Sequence, residues 1–414
     1  MTNHIYYGEY SLKYWIHLLL TGDIDLPEYQ RSFVWDESDV RRLIKSFKEK
    51  QFVQPVTIAL FKTGKNSRAK NFLIDGQQRL TSILLAKIGF MPDRERFEKV
   101  QMIADGDDSH EDEDGEPHPI KWTFKEIIDQ DPSKNSITTI KNKLNKDDRY
   151  LNFEVDNIDL DFWGNTFLGF SYIVPDSDKE QEVQHYFAQL FRNINYFGRR
   201  LSALESRQSL YYMDEDLRQY FEGQTNDNKN ILCNLKIIES MKIVNLDFVR
   251  YLSILSQYKI NNGSESVMLG YSAYKSRESY YADYVSYLLN LDQESRVNKF
   301  DGFKMNIVFP EKCWKERFNT LRNTINYIKE NFNLNEKGAF SSWIDADYWL
   351  FGLIYQIVFE GKSLNHDITS LCSDLNNKIQ EKRTDVSYSR IPNGLGNLRS
   401  RLAESINIYK DYVH

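Results

Sequence analysis

The run Asp75-Gly76-Gln77-Gln78-Arg79 collects residue types suited to binding and acting on phosphate. An arginine presents a planar fork of donors that matches phosphate oxygens. Two glutamines orient water or oxygens without carrying charge. Gly76 lets backbone come close to a ligand, and Asp75 is able to hold a divalent cation or to fix an arginine. A second set, Tyr29, Gln30 and Arg31, lies in the aromatic and polar stretch Leu26 to Trp35. Two arginines, amide side chains and a helix start are what a polyphosphate needs for neutralisation and orientation. On residues alone a plainer reading stands beside this one, in which Arg79 only bridges to Asp75.

The elements that must position these residues can be read from periodicity. Asn71 to Asp75 reads as a short apolar strand that gives way to an amphipathic helix over Leu80 to Ile88, so the motif sits at a strand-to-helix junction. Val56 to Phe61 reads as a strand, and the polar turn Thr63 to Lys70 makes a hairpin with the strand ending at Asp75. Ser11 caps a helix running to about Leu20. Asp36 caps another, in which Val40, Leu43, Ile44 and Phe47 form the apolar face. Ile24 to Trp35 is extended, broken by Pro27, then irregular.

Farther on, Leu151 to Leu160 and Thr166 to Val174 read as strands that extend the same sheet. Gln181 to Asn195 reads as a helix stopped at Gly198, and Ser202-Ala203-Leu204-Glu205 as a capping box. Past about residue 225 only helical patterns are found. Within them the tyrosines of Tyr271 to Leu289 offer stacking platforms, although aromatics at helical spacing are more often core.

Between Gly89 and about Pro119 periodicity vanishes. Residues 105–116 hold eight acids and no Lys or Arg, and without them the formal balance moves from −7 to +1. The chain is therefore not a generally basic nucleic-acid-coating protein, yet a local basic surface is compatible with its charge. The acidic run lacks the alternation, central glycine and terminal Glu of a calcium loop, so His110 and His118 within it read as solvated. Cys233, Cys313 and Cys372 stand far apart without CxxC spacing, which argues against a disulfide framework or a cysteine zinc site. No leader pattern opens the chain and no apolar run approaches bilayer length, which places it in the cytoplasm, with no membrane partner.

Two other chemistries are disfavoured, one by spacing and one by its helical context. Gly361-Lys362-Ser363 imitates the end of a P-loop, but Gln356 stands where the first glycine is required. Asp347 with Glu360-Gly361-Lys362 has the spacing of a metal-dependent nuclease. The intervening Tyr348 to Phe359 nevertheless reads as a buried helix.

Leu26-Pro27-Glu28-Tyr29-Gln30-Arg31-Ser32-Phe33-Val34-Trp35 paired with Ile74-Asp75-Gly76-Gln77-Gln78-Arg79-Leu80-Thr81 resembles the N-terminal domain of the GmrSD restriction-system family, related to the ParB/sulfiredoxin superfamily. Phe191 to Glu205 looks like that family's later motif. The resemblance covers roughly residues 5 to 220. It implies a small ParB/sulfiredoxin-like, GmrS-like nucleotide-binding domain over 1–222. With the acidic insert near 91–120 and the helical patterns read above as a separate, all-helical domain over 223–414, the expected architecture is α+β.

The resemblance also implies nucleoside triphosphate binding and hydrolysis, with Mg2+, in a DNA restriction or anti-phage defence system. Asp75, Gln78 and Arg79 would then be catalytic, and Tyr29, Gln30, Arg31, Gly76, Gln77 and Asn195 would hold nucleotide and phosphate, with Glu205 a weaker carry-over and no protein metal cage. DNA and a nuclease partner chain are implied partners. An HNH-type nuclease domain borne by many family members has no counterpart here, since only His366 and His414 lie beyond residue 185. The alternatives are a non-catalytic, ParB-like nucleotide-gated DNA-binding module and, behind it, a nuclease.

Overall fold

The computed structural model describes residues 4–26, 33–61, 70–97, 120, 122–155, 158–159, 161–176, 183, 186, 190, 203–232, 235–239, 242–267, 274–291, 299–331, 339–365, 368–390 and 394–414. Described residues up to 190 belong to one compact unit and those from 203 onward to a second.

The first unit is built on five strands: β1 (His4–Ser11), β2 (Ile24–Asp25), β3 (Val56–Phe61), β4 (Lys70–Asp75) and β7 (Phe167–Val174), in the order β1-β7-β3-β4-β2. The expected hairpin is present, since β3 and β4 pair antiparallel with Thr57 opposite Asp75. The strand expected over Thr166 to Val174 enters between β1 and β3, antiparallel to the first and parallel to the second. Among the described residues of the strand expected over Leu151 to Leu160, only Leu151 and Asn152 are extended, within β6 (Tyr150–Asn152). It pairs with a short strand, β5 (Phe90–Pro92), in a separate ribbon. β5 falls where periodicity vanishes, because three residues are too few to show a period of two.

Helices α1 (Leu12–Thr21), α2 (Glu37–Lys48), α3 (Gln77–Ile88), α4 (Ile137–Leu144) and α5 (Phe162–Asn165) complete this unit. Ser11 caps α1 by accepting from the Tyr14 amide, and Asp36 caps α2 in a reciprocal box with Asp39. α3 is more enclosed than the sequence pattern indicates. Besides Leu80, Ile83, Leu84, Leu85 and Ile88, its polar residues Gln77, Gln78, Thr81 and Ser82 are buried too. The core around it runs from Leu12 and Trp15 through Phe33, Val40 and Leu73 to Trp122 and Leu168.

The second unit departs from the all-helical expectation. β8 (Lys236–Glu239) and β9 (Lys242–Asn245) form an antiparallel hairpin, and β10 (Ala339–Phe340) adds to β8 in parallel. Four-residue strands carry too few alternations to stand out against helical neighbours. The remainder is helical: α6 (Ala203–Leu210), α7 (Glu215–Glu222), α8 (Phe248–Asn261), α9 (Tyr274–Leu288), α10 (Met305–Val308), α11 (Trp314–Asn331), α12 (Trp343–Ile354), α13 (Ile368–Thr384), α14 (Val386–Arg390) and α15 (Leu395–Lys410). α12 runs on as a π-turn, Tyr355–Phe359, and Arg317 donates to the freed carbonyls of Val358 and Phe359. Tyr280, Tyr281 and Tyr284 of α9 are buried, so they serve the core. Mixed α and β elements throughout make the chain α+β. Among the described residues no helix is long and apolar enough to cross a membrane.

Candidate functional site

The β4–α3 junction turns on Gly76, which sits in the left-handed region at φ +96°. A Cβ there would stand 2.4 Å from Val56 Cγ1, so both the backbone conformation and the space require glycine. As the helix N-cap, glycine brings no side chain to satisfy the first amides of α3. The helix start therefore has no side-chain cap from its own N-cap residue and presents the positive end of its dipole.

Arg79 turns back across this start. Its Nη2 lies 2.5 Å from Asp75 Oδ2 and 3.5 Å from the Pro55 carbonyl, and its Nη1 donates to Gln54 Oε1 at 3.2 Å. The plainer reading of Arg79 is thus present in this structure: the guanidinium and the Asp75 carboxylate form an i, i+4 pair. Neither is sealed, with side-chain exposures of 13% and 31%, so both charges can be reached from solvent.

Gln78 performs a different task. Its Oε1 accepts from the backbone amides of Val34 (3.0 Å) and Trp35 (3.4 Å). The carbonyls of the same two residues accept from Arg94 Nη1 at 3.2 and 3.4 Å. The dipeptide that ends the first motif is therefore gripped on both its donor and its acceptor side, and α3 supplies one half of the grip. Burial pulls the Arg94 pKa below its ordinary value, against the opposing pull of Asp36 and Asp39. Sequence reasoning missed Arg94 because it follows β5 in the stretch without periodicity. The dense charge of Asp93-Arg94-Glu95-Arg96 was its only signal.

Tyr29, Gln30, Arg31 and Asn195 lie outside the described residues, as does the side chain of Glu205 and most of the helix expected over Gln181 to Asn195. The flanks of the first motif are fixed all the same: Leu26 and Phe33 are buried, and the Phe33 amide donates to the Trp122 carbonyl. The structure thus joins the end of the first motif to Gln78 of the second.

Gln77 is the most informative residue of the junction. It is 4% exposed, and neither its Nε2 nor its Oε1 has a hydrogen-bond partner among the described residues. Thr81, one turn along on the same face, and Ser82 are fully buried with unpartnered hydroxyls, and Arg79 Nε and Trp35 Nε1 are likewise unmet. A buried polar group left without a partner costs about 1–3 kcal/mol. A cluster of them beside an uncapped helix start is what a polar, anionic ligand would satisfy.

The nuclease alternative in the second unit finds no support in geometry. Asp347 is fully buried and taken up by Arg250 and Arg401, whereas Glu360 pairs with Lys259 at 2.7 Å. Among the described residues no group of three or more His, Cys, Asp or Glu is placed to hold a metal ion.

Residues 16–212 match the family model of the GmrSD restriction endonuclease N-terminal domain. An uncharacterized protein of Methanocaldococcus jannaschii is 32% identical over 84 residues, covering 16% of this chain and 14% of that protein's length. No solved structure matches the chain.

Proposed function

Because residues 16–212 are a GmrSD-type N-terminal domain, we propose that this chain serves a DNA restriction or anti-phage defence system by binding and hydrolysing a nucleoside triphosphate at the β4–α3 junction. The observation that carries this reading is the unpartnered, buried Gln77 amide beside the uncapped start of α3. The domain, read as ParB/sulfiredoxin-like over 1–222, would hold the nucleotide, while the region 223–414 would recognise DNA or a nuclease partner chain.

In this mechanism the phosphates lie against the α3 amides, and Arg79 leaves Asp75 to neutralise them together with Arg31. Gln77 supplies an amide to the phosphate oxygens. Gln78 and Arg94 hold Val34 and Trp35 at the end of the first motif, and the resemblance assigns Tyr29, Gln30 and Arg31 to the same ligand, with Gln30 or Gln78 orienting the attacking water. The family resemblance adds Asn195 to the nucleotide-binding set. The water oxygen bonds to the terminal phosphorus, the bridging P–O bond breaks toward the diphosphate, and the water's proton passes to solvent. Asp75, once released by Arg79, would offer a carboxylate at the junction. That fits Mg2+, which takes one or two carboxylates with substrate phosphates and neutralises their charge.

A second reading is favoured by the Asp75–Arg79 pair, which is a ready two-state element. In it nucleotide only exchanges the partner of Arg79 and gates DNA binding, without turnover. Calorimetric titration of each triphosphate with Mg2+, alongside phosphate release, separates the two. Binding with turnover that disappears in Arg79→Ala is the expected result. Tight binding with no release above that variant selects the gate, and failure to bind any triphosphate overturns both.

A further inference from the structure

Strand pairing lays four residues in a row across the sheet of the first unit. Tyr7 of β1 stands opposite Ser171 of β7, Ser171 opposite Thr57 of β3, and Thr57 opposite Asp75 of β4. Residues directly opposite share a face, so all four side chains belong to one side of the sheet. With neighbouring strands about 4.8 Å apart, Tyr7 lies about 14 Å from Asp75. Asp75 joins this row because the register slips by one residue between Thr57 and Ile58. An unbroken ladder would set Ile74 opposite Thr57, and an irregularity of this kind re-aims a side chain.

The strip is open to solvent. Thr57, Ser171 and Asp75 are half-buried, and Tyr7 is 78% exposed. Two residues along in one direction the same face is covered, since Ile173 and Ala59 are buried. In the other direction Gly169 carries no side chain, and the Pro55 ring stands 3.4 Å from where a Cβ on Gly169 would be. The Pro55 carbonyl accepts from Arg79, so the strip runs up to the Asp75–Arg79 pair. Thr57 Oγ1 and Ser171 Oγ lie 3.0 Å apart. One donates to the other, which leaves one O–H donor and several lone pairs for a ligand.

Ordinary cross-strand hydrogen bonding accounts for Thr57 and Ser171. It does not account for Tyr7. β1 is an edge strand, and edges are normally guarded by Lys, Pro or a bulge. β1 contains neither Lys nor Pro, its register with β7 is unbroken, and it presents an almost bare phenol ring.

We propose that this strip holds the nucleoside part of the triphosphate, with the base stacked on Tyr7, the sugar hydroxyls on Thr57 and Ser171, and the phosphates at Arg79 and the start of α3. The inference rests on the phosphate site described above and assigns the remainder of the ligand. The occupant follows from the order of chemistry along the strip: a charged clamp at one end, hydroxyls in the middle and a flat π-face at the other. That is the order of groups in a nucleotide. Glu9, exposed on the face of Tyr7 and two residues from it, repels phosphate from that end and fixes the direction of the ligand. Stacking on an aromatic ring tolerates any base, so the strip selects nucleotide over inorganic phosphate more strongly than one base over another.

The test is calorimetric titration of the full chain, with Mg2+, by each of the four ribonucleoside triphosphates and by inorganic tripolyphosphate. The wild type is expected to bind at least one nucleotide about five- to a hundredfold more tightly than tripolyphosphate, the worth of one stacked base. Tyr7→Ala should bring that nucleotide down toward tripolyphosphate, and Tyr7→Trp should keep its affinity. Because Tyr7 is exposed, its loss costs the fold little. Thr57→Val should weaken the ribonucleotide by about threefold or more and leave its 2′,3′-dideoxy form unchanged. Equal wild-type affinity for nucleotide and tripolyphosphate, or nucleotide affinity unchanged in either Tyr7→Ala or Thr57→Val, overturns the proposal and leaves the phosphate site standing. A wild type that binds neither probe overturns the phosphate site and the proposal with it.

Discussion

Two buried polar centres of this molecule are built in opposite ways. In the second unit, Asp347 accepts two hydrogen bonds from Arg250 (2.5 and 2.9 Å), two from Arg401 (3.0 and 2.8 Å) and one from Tyr251 (3.3 Å). Arg401 also donates to Tyr388, and Arg250 lies 4.5 Å over the Trp343 ring. In the first unit, five of the ten unpartnered buried side-chain atoms among the described residues fall within Gln77 to Ser82, whereas those of the second unit are scattered. Both centres are costly to bury. The first cost is met inside the chain and yields rigidity, while the second is left open and yields a place for a ligand. Burial of polar residues therefore does not mark a site; lack of partners does.

The comparison can be broken or sharpened by substitution. Asp347→Ala leaves two buried guanidinium groups without their carboxylate and is expected to cost about 3–5 kcal/mol in denaturant unfolding; a loss below 1 kcal/mol would mean the network is not closed. Arg79→Ala, at the open centre, is expected to lower triphosphate affinity by about ten- to a hundredfold, the worth of one charge-assisted bond to phosphate. Its unfolding free energy should move by only about 1 kcal/mol, because Asp75 still reaches solvent.

Arg94→Met removes the grip on the Val34 and Trp35 carbonyls. A roughly tenfold rise in the dissociation constant is expected, with Arg94→Lys partly restoring it, since a single positioned donor is worth about 1.4 kcal/mol here. Gln77→Met replaces an unpartnered amide with an apolar chain of similar length. Stability should hold or rise by up to about 1–3 kcal/mol while triphosphate binding weakens, and a loss of stability would show that the amide has a partner inside the chain.

The smallest effect concerns acid. Burial raises the Glu404 pKa, but hydrogen bonds from Tyr348 and Lys382, with the charges of Lys382 and Lys378, outweigh it and hold the carboxyl below its ordinary value. A depressed folded pKa stabilises above the unfolded value and loses that contribution as pH falls through the folded one. Glu404→Gln should therefore flatten the fall in thermal midpoint below about pH 4.5 and change little at pH 7.

Much of the first unit was legible. The caps Ser11 and Asp36, the hairpin into Asp75 and the break at Gly76 all follow from local chemistry, because capping, turn formation and left-handed backbone are decided within a few residues. The three-residue β5 and the four-residue β8 and β9 were not legible, since so short a strand is defined by its partner more than by its own alternation. The amphipathic reading of α3 also failed, for burial on its polar side depends on what packs there.

The sequence by itself determined that Asp75 to Arg79 forms a strand-to-helix junction with a glycine at its turn and an arginine one helical turn beyond Asp75. Only the tertiary structure decided the partners. It set Arg79 against Asp75, gave Gln78 and Arg94 the same dipeptide to hold from positions sixteen residues apart, and left the buried Gln77 amide without a partner among the described residues. Local chemistry is fixed by neighbours along the chain, whereas satisfaction and crowding of charge depend on neighbours in space, which no stretch of sequence displays.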